Sequence, residues 1–328
     1  MPSPRWREVA GDGGLAGVLE PGAGNAITDV PGVSVGHAQA ESGERTGVTV
    51  ISPGSLPAPA GVAVVNGTGE LTGCLEIAER GVIETPVYLC GSHAVGTVHQ
   101  AAVLASGRGP ENIVLPVVGE CDDGEMADSR TVTVADVERA LEALDTAGSE
   151  VAEGSVGAGT GMSCFDFPGG IGTASRKLGE HHVGVLLLCN FGDREYLDLL
   201  GTRLEPAPGR PPSQGSCIAV CATDAPLSSA QLRRLALRPL LGLARAGSYA
   251  SEGSGEIGLA FGSHAADAAA ASSGELNRCF AAAFEAGHEA VFNCLVAARP
   301  GVRRDGTSQD GFPVESARLL AGRSVLGG

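Results

Sequence analysis

The chain has 328 residues, 43% hydrophobic and 18% charged, so it can bury a sizeable core and lacks the composition of disordered proteins. Its net charge of −16 argues against nucleic-acid binding, which needs a basic face. We find no apolar run of membrane-spanning length and no signal-peptide core, so we expect no membrane partner and a cytoplasmic location. Nine scattered cysteines without a CxxC pair fit reduced, mostly buried thiols.

The first quarter of the chain favours short strands. Residues 1–24 read as a flexible lead-in, and two strands are predicted in NAITDVPGVSVGHAQ and RTGVTVISP. A buried strand over 61–65 ends in a glycine loop. A helix at about 72–80 and the strand TPVYLCGS follow.

The middle of the chain alternates helices and strands. Residues 92–106 favour a helix, NIVLPVVGE a strand that ends in an acidic loop, and residues 133–144 an amphipathic helix with Thr133 as its N-cap. GSVGAGTGMSCFDFPGGIGTASR reads as a glycine-rich connector before the strand HHVGVLLLCNFG. The segment DREYLDLLGTRLEPAPGRPPSQG is charged and then rich in Pro and Gly, which makes it the strongest linker signal.

The last third begins with a strand over 217–223 and a helix from about Ser228 to Ala246, in which Pro239 is expected to cause a kink or a restart. Another strand is predicted near 257–262. Further helices are predicted over 264–271, 275–286 and 288–298. Strands that alternate with helices indicate a layered α/β domain, and we find no internal repeat.

Three familiar patterns do not carry function here. Gly253–Gly258 spells GxGxxG, but the strand IGLAF follows it, whereas a dinucleotide-binding fingerprint needs a strand before and a helix after. Gly32–Gly36 spells GxSxG without the helix that a nucleophile elbow requires. The seven histidines show no metal-ligand spacing, so we expect neither a metal nor a cofactor, although one sequence leaves a Ser-His-Asp triad open.

Polar residues stand where several predicted strands begin or end. They are Ser216, Asn190, Ser254, Glu256, Glu120 and the pair Asp122–Asp123. Each alone is more often a cap or turn residue than a catalytic one. Strand ends converge on one edge in layered α/β folds, so together these residues can supply a nucleophile, a base and an oxyanion donor without histidine.

Several segments resemble the P1 family of self-processing aminopeptidases, which comprises the L-aminopeptidase/D-amidase-esterases and the β-peptidyl aminopeptidases. They are NAITDVPGVSVGH, RTGVTVI, VVNGTGELTG, GSVGAGTGMSCFDFPGGIGTASR, LLCNFGD and above all GSCIAVCATDAPLSS with GSGEIGLAF, in the same order from about 25 to 306. The resemblance implies an αββα sandwich of the N-terminal-nucleophile-hydrolase type, with one catalytic domain over 25–328. It also implies a homo-oligomer, usually a tetramer of αβ units.

The family resemblance implies that the inactive chain cuts itself between Gly215 and Ser216, giving an α chain 1–215 and a β chain 216–328. Ser216 becomes the N-terminal nucleophile, and its freed α-amine assists as base. The substrate is then a short peptide, amide or ester with a free amino terminus, hydrolysed through an acyl-enzyme. The glycine at 215 suits a bent scissile bond because it has no Cβ.

The remaining site residues are carried over from the same resemblance. Ser254 and Glu256 match the auxiliary serine and acid, and Asn190 matches the oxyanion-hole asparagine. Glu120 matches the acid that receives the substrate's amino group. The L-aminopeptidase type carries a tyrosine two residues beyond this acid. Here that position is Asp122, so a negative charge replaces a hydroxyl donor near the substrate.

Two other functions stay open from the sequence. Ornithine acetyltransferases share a related fold and transfer acyl groups, but they use a threonine nucleophile where this chain has Ser216. A non-catalytic paralogue that serves as a binding or scaffold protein is the other alternative, with Asp122 as its hint. The sequence does not distinguish α- from β-amino-acid substrates or L- from D-residues.

Overall fold

Two β-sheets packed face to face form the centre of the molecule in the computed structural model, which describes residues 4–11, 14, 17–146, 150–207, 215–263 and 270–324. The strands are β1 (Ser34–Gln39), β2 (Gly47–Ser52), β3 (Ala58–Gly67), β4 (Val82–Ile83), β5 (Val87–Gly91), β6 (Val117–Cys121), β7 (Ser163–Cys164), β8 (Phe167–Pro168), β9 (Gly170–Leu178), β10 (His181–Asn190), β11 (Ser216–Thr223), β12 (Gly255–Gly262), β13 (Gly301–Val302) and β14 (Ser308–Gln309). The helices are α1 (Trp6–Ala10), α2 (Cys74–Arg80), α3 (Val95–Ala105), α4 (Val134–Thr146), α5 (Ser229–Ala246), α6 (Ser273–Ala297) and α7 (Val314–Ser324).

The smaller sheet has the order β1-β2-β5-β6 and the larger one β4-β3-β12-β11-β10-β9. In the larger sheet β11 and β12 run parallel, and all other neighbouring strands are antiparallel. The chain therefore places β11, which begins at the predicted nucleophile, between β10 and β12 in the middle of the sheet.

Four layers are stacked in the order α, β, β, α. Helices α3 and α4 cover the outer face of the smaller sheet, and α5 and α6 cover the outer face of the larger one. A separate apolar core fills the space between the two sheets. This layering confirms the predicted αββα sandwich.

The apolar runs that predicted β10 and β11 are explained by burial on both faces. Every residue of β11 is buried, as are the last eight residues of β10. Helix α4 begins as predicted, since the Thr133 hydroxyl accepts a hydrogen bond from the Asp136 N–H at 3.4 Å. Ser228 forms a capping box with Gln231 at the start of α5, where the predicted helix also begins.

Two helices that the sequence separates are one in the structure. The predicted helices over 275–286 and 288–298 merge into α6, because Gly287 does not interrupt the helix but lies against Pro239 of α5. A Cβ at Gly287 would lie 2.7 Å from the Cα and the carbonyl oxygen of Pro239. Helix α5 runs through Pro239 without the predicted restart. Most of the helix predicted over 264–271 lies outside the described residues.

The glycine-rich connector contains strands that the sequence did not reveal. It includes the short strands β7 and β8 and leads into β9, a nine-residue edge strand of the larger sheet. Gly172 in β9 lies so close to α6 that a Cβ would approach the Ala290 carbonyl oxygen to 1.9 Å. Glycine serves here for close helix packing rather than for a loop.

Part of the predicted flexible lead-in, residues 4–11, packs on the domain. Trp6 in α1 is fully buried and stacks on Phe292 of α6 with ring centroids 4.4 Å apart. The Arg5 guanidinium donates to the Thr173 carbonyl at 2.6 Å. Residues 4–11 therefore belong to the folded unit, because an aromatic anchor and an arginine hold them to it.

All nine cysteines lie in described ranges and are free thiols. None of the helices in the described ranges combines the length and apolarity needed to cross a bilayer. Across the same ranges, no three His, Cys, Asp or Glu side chains are grouped so that they could hold a metal ion.

Candidate active site

Three of the predicted strand ends meet at one point of the larger sheet. Ser216 opens β11 and lies directly opposite Asn190, the last residue of β10. On its other side Ser216 pairs with Gly255, the first residue of β12, so Ser254 and Glu256 flank that pairing position. All four side chains, those of Ser216, Asn190, Ser254 and Glu256, are buried.

The peptide bond before Ser216 is held by backbone contacts. The Gly215 carbonyl accepts a hydrogen bond from the Gly255 N–H at 3.1 Å. A Cβ at position 215 would lie 2.3 Å from the Asn190 carbonyl oxygen and 2.6 Å from the Phe191 Cα, so only glycine fits. Residues 208–214 of the predicted linker lie outside the described residues.

The Asn190 amide is fixed at both of its atoms. Oδ1 accepts a hydrogen bond from the Ser163 N–H at 2.9 Å, and Nδ2 donates to the Asp122 carbonyl at 2.9 Å. Because one partner is an N–H donor and the other a carbonyl acceptor, the oxygen and the nitrogen of the amide can be assigned. An amide nitrogen carries two hydrogens, and Asn190 makes no other hydrogen bond among the described residues, so its second N–H can serve a ligand.

Ser254 and Glu256 form a buried pair. The Ser254 hydroxyl donates to Glu256 Oε1. Burial raises the pKa of the Glu256 carboxyl, although the hydrogen bonds from Ser254 and from the Glu256 backbone lower it. Within the described part of the chain the other oxygen, Oε2, is buried and has no hydrogen-bond partner. The carboxyl group therefore keeps one oxygen for a further donor.

Glu120 reaches the same region from the smaller sheet. Its carboxylate accepts hydrogen bonds from the Glu70 N–H at 2.8 Å and from the Ser92 hydroxyl. The backbone between the sheets is close, because a Cβ at Gly69 would lie 3.3 Å from Glu120 Oε1 and 3.7 Å from the Gly255 Cα. This places a buried carboxylate across a narrow gap from the start of β12.

Asp122 joins this cluster through its backbone rather than its side chain. The carboxylate is exposed and accepts a hydrogen bond from the Gly124 N–H at 2.9 Å, while the carbonyl holds Asn190. Its neighbour Asp123 is buried and accepts a hydrogen bond from the Thr46 hydroxyl at 2.6 Å. The Asp122 carboxylate is therefore in contact with solvent, and it is the backbone of Asp122 that contacts Asn190.

The sequence did not reveal several supporting residues. Ser163 orients Asn190, Ser92 binds Glu120, and Gly69 separates Glu120 from β12. Ser163 opens the two-residue strand β7 and Gly69 lies in a glycine-rich loop, and no local pattern indicates the spatial neighbours of either residue. Of the two glycine motifs, GxGxxG leads into β12 and GxSxG lies in and before β1, as the sequence indicated.

A small, partly open cleft borders this cluster at Ser254. Its other lining residues are Gly192, Asp193, Ser248, Tyr249, Ala250 and Ser251. The Tyr249 hydroxyl donates to Asp193 Oδ2 at 2.6 Å and thereby joins the loop after β10 to the loop before β12. This hydrogen bond, followed by burial, raises the pKa of Tyr249 to about 12. The phenol therefore stays a neutral donor.

Comparisons with known proteins agree with this geometry. The model of peptidase family S58 matches residues 25–309. The β-peptidyl aminopeptidase BapA of Sphingosinicella microcystinivorans is 39% identical over 345 residues, which cover 90% of this chain and 86% of that protein. Its counterpart in Sphingosinicella xenopeptidilytica is 38% identical and covers 92% of this chain and 88% of its own.

Solved structures show the same architecture over nearly the whole chain. A Burkholderia β-aminopeptidase superimposes with a TM-score of 0.84 at 39% identity, covering 96% of this chain and 98% of its own. The L-aminopeptidase D-Ala-esterase/amidase of Ochrobactrum anthropi, described as a prototype of the serine aminopeptidases and a variant of the Ntn hydrolase fold, gives 0.84 at 32% identity, with 98% and 99% covered. The chain therefore belongs to peptidase family S58 and is a serine aminopeptidase with this Ntn hydrolase fold.

Proposed function

We propose that this aminopeptidase activates itself by cutting the Gly215–Ser216 bond, and that Ser216 then hydrolyses short peptides, amides or esters with a free amino terminus. The observation that carries the proposal is the position of Ser216 between Asn190 and Gly255, with the Gly215 carbonyl already hydrogen-bonded to the Gly255 N–H. A carbonyl held by an N–H is polarised toward attack, and the same N–H stabilises the oxyanion that attack creates.

Self-cleavage begins when Ser216 Oγ attacks the Gly215 carbonyl carbon and forms a tetrahedral intermediate whose oxyanion faces the Gly255 N–H. The C–N bond then breaks, the nitrogen of Ser216 takes up the hydroxyl proton, and an ester joins Gly215 to Ser216 Oγ. Water hydrolyses this ester. The products are a Gly215 carboxylate and a Ser216 that carries both a free hydroxyl and a free α-amine.

Substrate turnover uses the groups that the cut sets free. Ser216 Oγ attacks the substrate carbonyl, and the α-amine, with a reference pKa of about 7.7–8.0, accepts the hydroxyl proton and returns it to the departing amine. The second N–H of Asn190 stabilises the oxyanion. Water then hydrolyses the acyl-enzyme and regenerates Ser216. Glu256 Oε2, buried and without a partner among the described residues, suits an N–H donor such as this amine.

The substrate's amino group is assigned to Glu120, whose carboxylate is held by the Glu70 N–H and the Ser92 hydroxyl. The two BapA relatives and the Burkholderia structure carry names that refer to β-peptides or β-amino acids. We therefore take β-aminoacyl compounds as the substrate class to test first.

The proposal includes assembly into a homo-oligomer. The second half of β3 lies beyond its short pairing with β4 at Ala58–Pro59 and exposes Val64 and Val65. An edge strand with exposed valines favours burial against another protein surface. Gel filtration with light scattering measures the assembly directly, and a monomeric αβ unit at micromolar concentration contradicts it.

The decisive experiment compares the wild type with Ser216→Ala. Mass spectrometry should show the wild-type 32.8 kDa chain converted to two fragments, the smaller beginning at Ser216, while Ser216→Ala stays intact and hydrolyses neither β-alanyl nor L-alanyl p-nitroanilide. Ser42→Ala, at an exposed serine, is the matched control and should process normally. An active Ser216→Ala enzyme, or a wild type that turns over substrate while intact, refutes the proposal.

A further inference from the structure

Cys121, the last residue of β6, lies on the face of the smaller sheet that packs against β11. Gly119, two residues earlier on the same face, lies so close to Ile218 that a Cβ there would meet the Ile218 Cγ2 at 3.0 Å. Cys121 lies two residues after Gly119 in β6, and Ser216 lies two residues before Ile218 in β11. Both residues are therefore close to the contact between Gly119 and Ile218. Its thiol is fully buried in the core between the sheets.

Two hydrogen bonds hold the end of β6 against the end of β10 beside Ser216. The Cys121 thiol donates to the Leu188 carbonyl at 3.7 Å, and the next residue, Asp122, accepts from Asn190. Asn190 pairs with Ser216 and Leu188 pairs with Ile218 across β10 and β11, and Ser216 shares the inward face of β11 with Ile218. These contacts bring the Cys121 sulfur to the part of the inter-sheet space that the Ser216 side chain faces.

We propose that Cys121 is a positioning residue whose sulfur fixes the rotamer of the Ser216 hydroxyl for attack, both on the Gly215 carbonyl and on substrate. The proposal rests on Ser216 being the nucleophile. A thiol is a weak hydrogen-bond acceptor, so it orients the hydroxyl without competing strongly for its proton. The thiol's own proton is directed to the Leu188 carbonyl, so toward Ser216 the sulfur can act only as an acceptor.

Cys121 does not act as the base. Burial raises its pKa well above the ordinary thiol value, and negative charge at Cys217 or Glu120 raises it further, whereas the hydrogen bond with Ser216 only partly offsets these effects. The group remains a neutral thiol over the working range of the enzyme. Its removal should therefore change the rate of the chemical step without moving the pH dependence of that step.

Cys121→Ala tests this positioning role. We expect kcat and the self-cleavage rate to fall together by about ten-fold, with KM within about two-fold and the pH–rate profile unshifted, because the nucleophile is misplaced while substrate contacts remain. Cys121→Ser keeps an acceptor of similar size and should retain most of both rates. Cys221→Ala is the control for the loss of a core sulfur, because the Cys221 thiol in β11 is also fully buried.

The outcomes separate this inference from the proposed function. If Cys121→Ala folds with the melting temperature of Cys221→Ala yet keeps wild-type kcat and self-cleavage, Cys121 does not position Ser216. A shifted pH–rate profile also overturns the inference, since it makes the thiol a titrating group. If Cys121→Ala alone fails to fold, the Cys121→Ser enzyme decides. A ten-fold lower kcat in a folded Cys121→Ser enzyme, with KM unchanged, contradicts the acceptor role. An active Ser216→Ala enzyme overturns the proposed function itself.

Discussion

At the residue scale, the buried carboxyl of Glu256 lowers the stability of the fold when it is ionised, although the proposed mechanism uses it. Its pKa is raised in the folded protein chiefly by burial, so folding favours the protonated form. The stabilising contribution of that form is complete below the unfolded pKa of about 4.3 and is lost as the pH rises through the raised folded pKa. Ionised Glu256 therefore destabilises the uncut chain at neutral and alkaline pH.

Glu256→Gln should consequently stabilise the fold while impairing catalysis. In a Ser216→Ala background, where no α-amine is released, the melting temperature should rise more at pH 8 than at pH 4, because glutamine carries no charge to desolvate. In the self-cleaving background, kcat should fall by about 10²-fold. Glu275→Gln is the control of opposite sign, since hydrogen bonds from Ser272 lower that carboxyl's pKa. An equal melting-temperature gain at both pH values contradicts the argument.

The sequence predicted which residues stand at strand ends but not what surrounds them. Ser216, Asn190 and Glu256 lie close together because β10, β11 and β12 are adjacent in one sheet. Ser163 and Cys121 escaped prediction, since their contacts depend on which segment folds over the end of β10 and on how the two sheets face each other. The position of Asp122, two residues after Glu120, likewise did not indicate that its side chain is exposed.

At the element scale, apolar runs and caps predicted most strands and helices, and glycine caused two of the errors. Gly287 suggested a break in α6 and the glycines before β9 suggested a loop, but both serve close packing. Sequence alone cannot separate these uses, because the partner that comes close is distant in the chain. The order of the larger sheet was unpredictable for the same reason: β3 pairs with β12.

Gly287→Ala tests the packing role of this glycine. Alanine favours a helix by about 1 kcal/mol over glycine, but its Cβ would lie 2.7 Å from Pro239 backbone atoms, and such overpacking costs about 1–3 kcal/mol. We therefore expect a lower melting temperature. Gly274→Ala in the first turn of α6 is the matched control, since its nearest neighbour would be 4.0 Å away and the change should stabilise. Stabilisation by both substitutions contradicts the packing argument.

At the scale of the whole molecule, the proposed cut passes through the middle of a sheet. Strands β11 and β12 would belong to the β chain, yet they lie between β10 and β3 of the α chain. Helix α6, also in the β chain, packs on β9. Because neighbouring strands on both sides come from the other chain, the two chains should co-elute in native gel filtration and separate only on unfolding.

A buried ion-pair cluster adds to this association, and Arg176→Ala tests it. Arg176, which would belong to the α chain, is fully buried and pairs with Glu285 at 3.0 Å and Glu289 at 2.9 Å, both of which would belong to the β chain. Removal of the arginine takes the buried cation from both carboxylates. Arg7 still pairs with Glu289, and the Val18 and Leu19 N–H groups still donate to Glu285, so we expect a loss at the low end of the about 3–5 kcal/mol typical of a broken buried ion pair. In urea, the cleaved Arg176→Ala enzyme should separate into its chains at a clearly lower midpoint than the wild type.

Arg318→Ala supplies the comparison, because Arg318 forms an exposed pair with Glu315 within α7 and such pairs contribute only about 0–1 kcal/mol. Its urea midpoint should stay near the wild-type value. An Arg176→Ala enzyme with an unchanged midpoint would show that strand pairing and apolar packing alone hold the chains together. Wild-type chains that separate without denaturant would contradict the cut through the sheet itself, since β11 cannot leave without exposing both neighbouring strands.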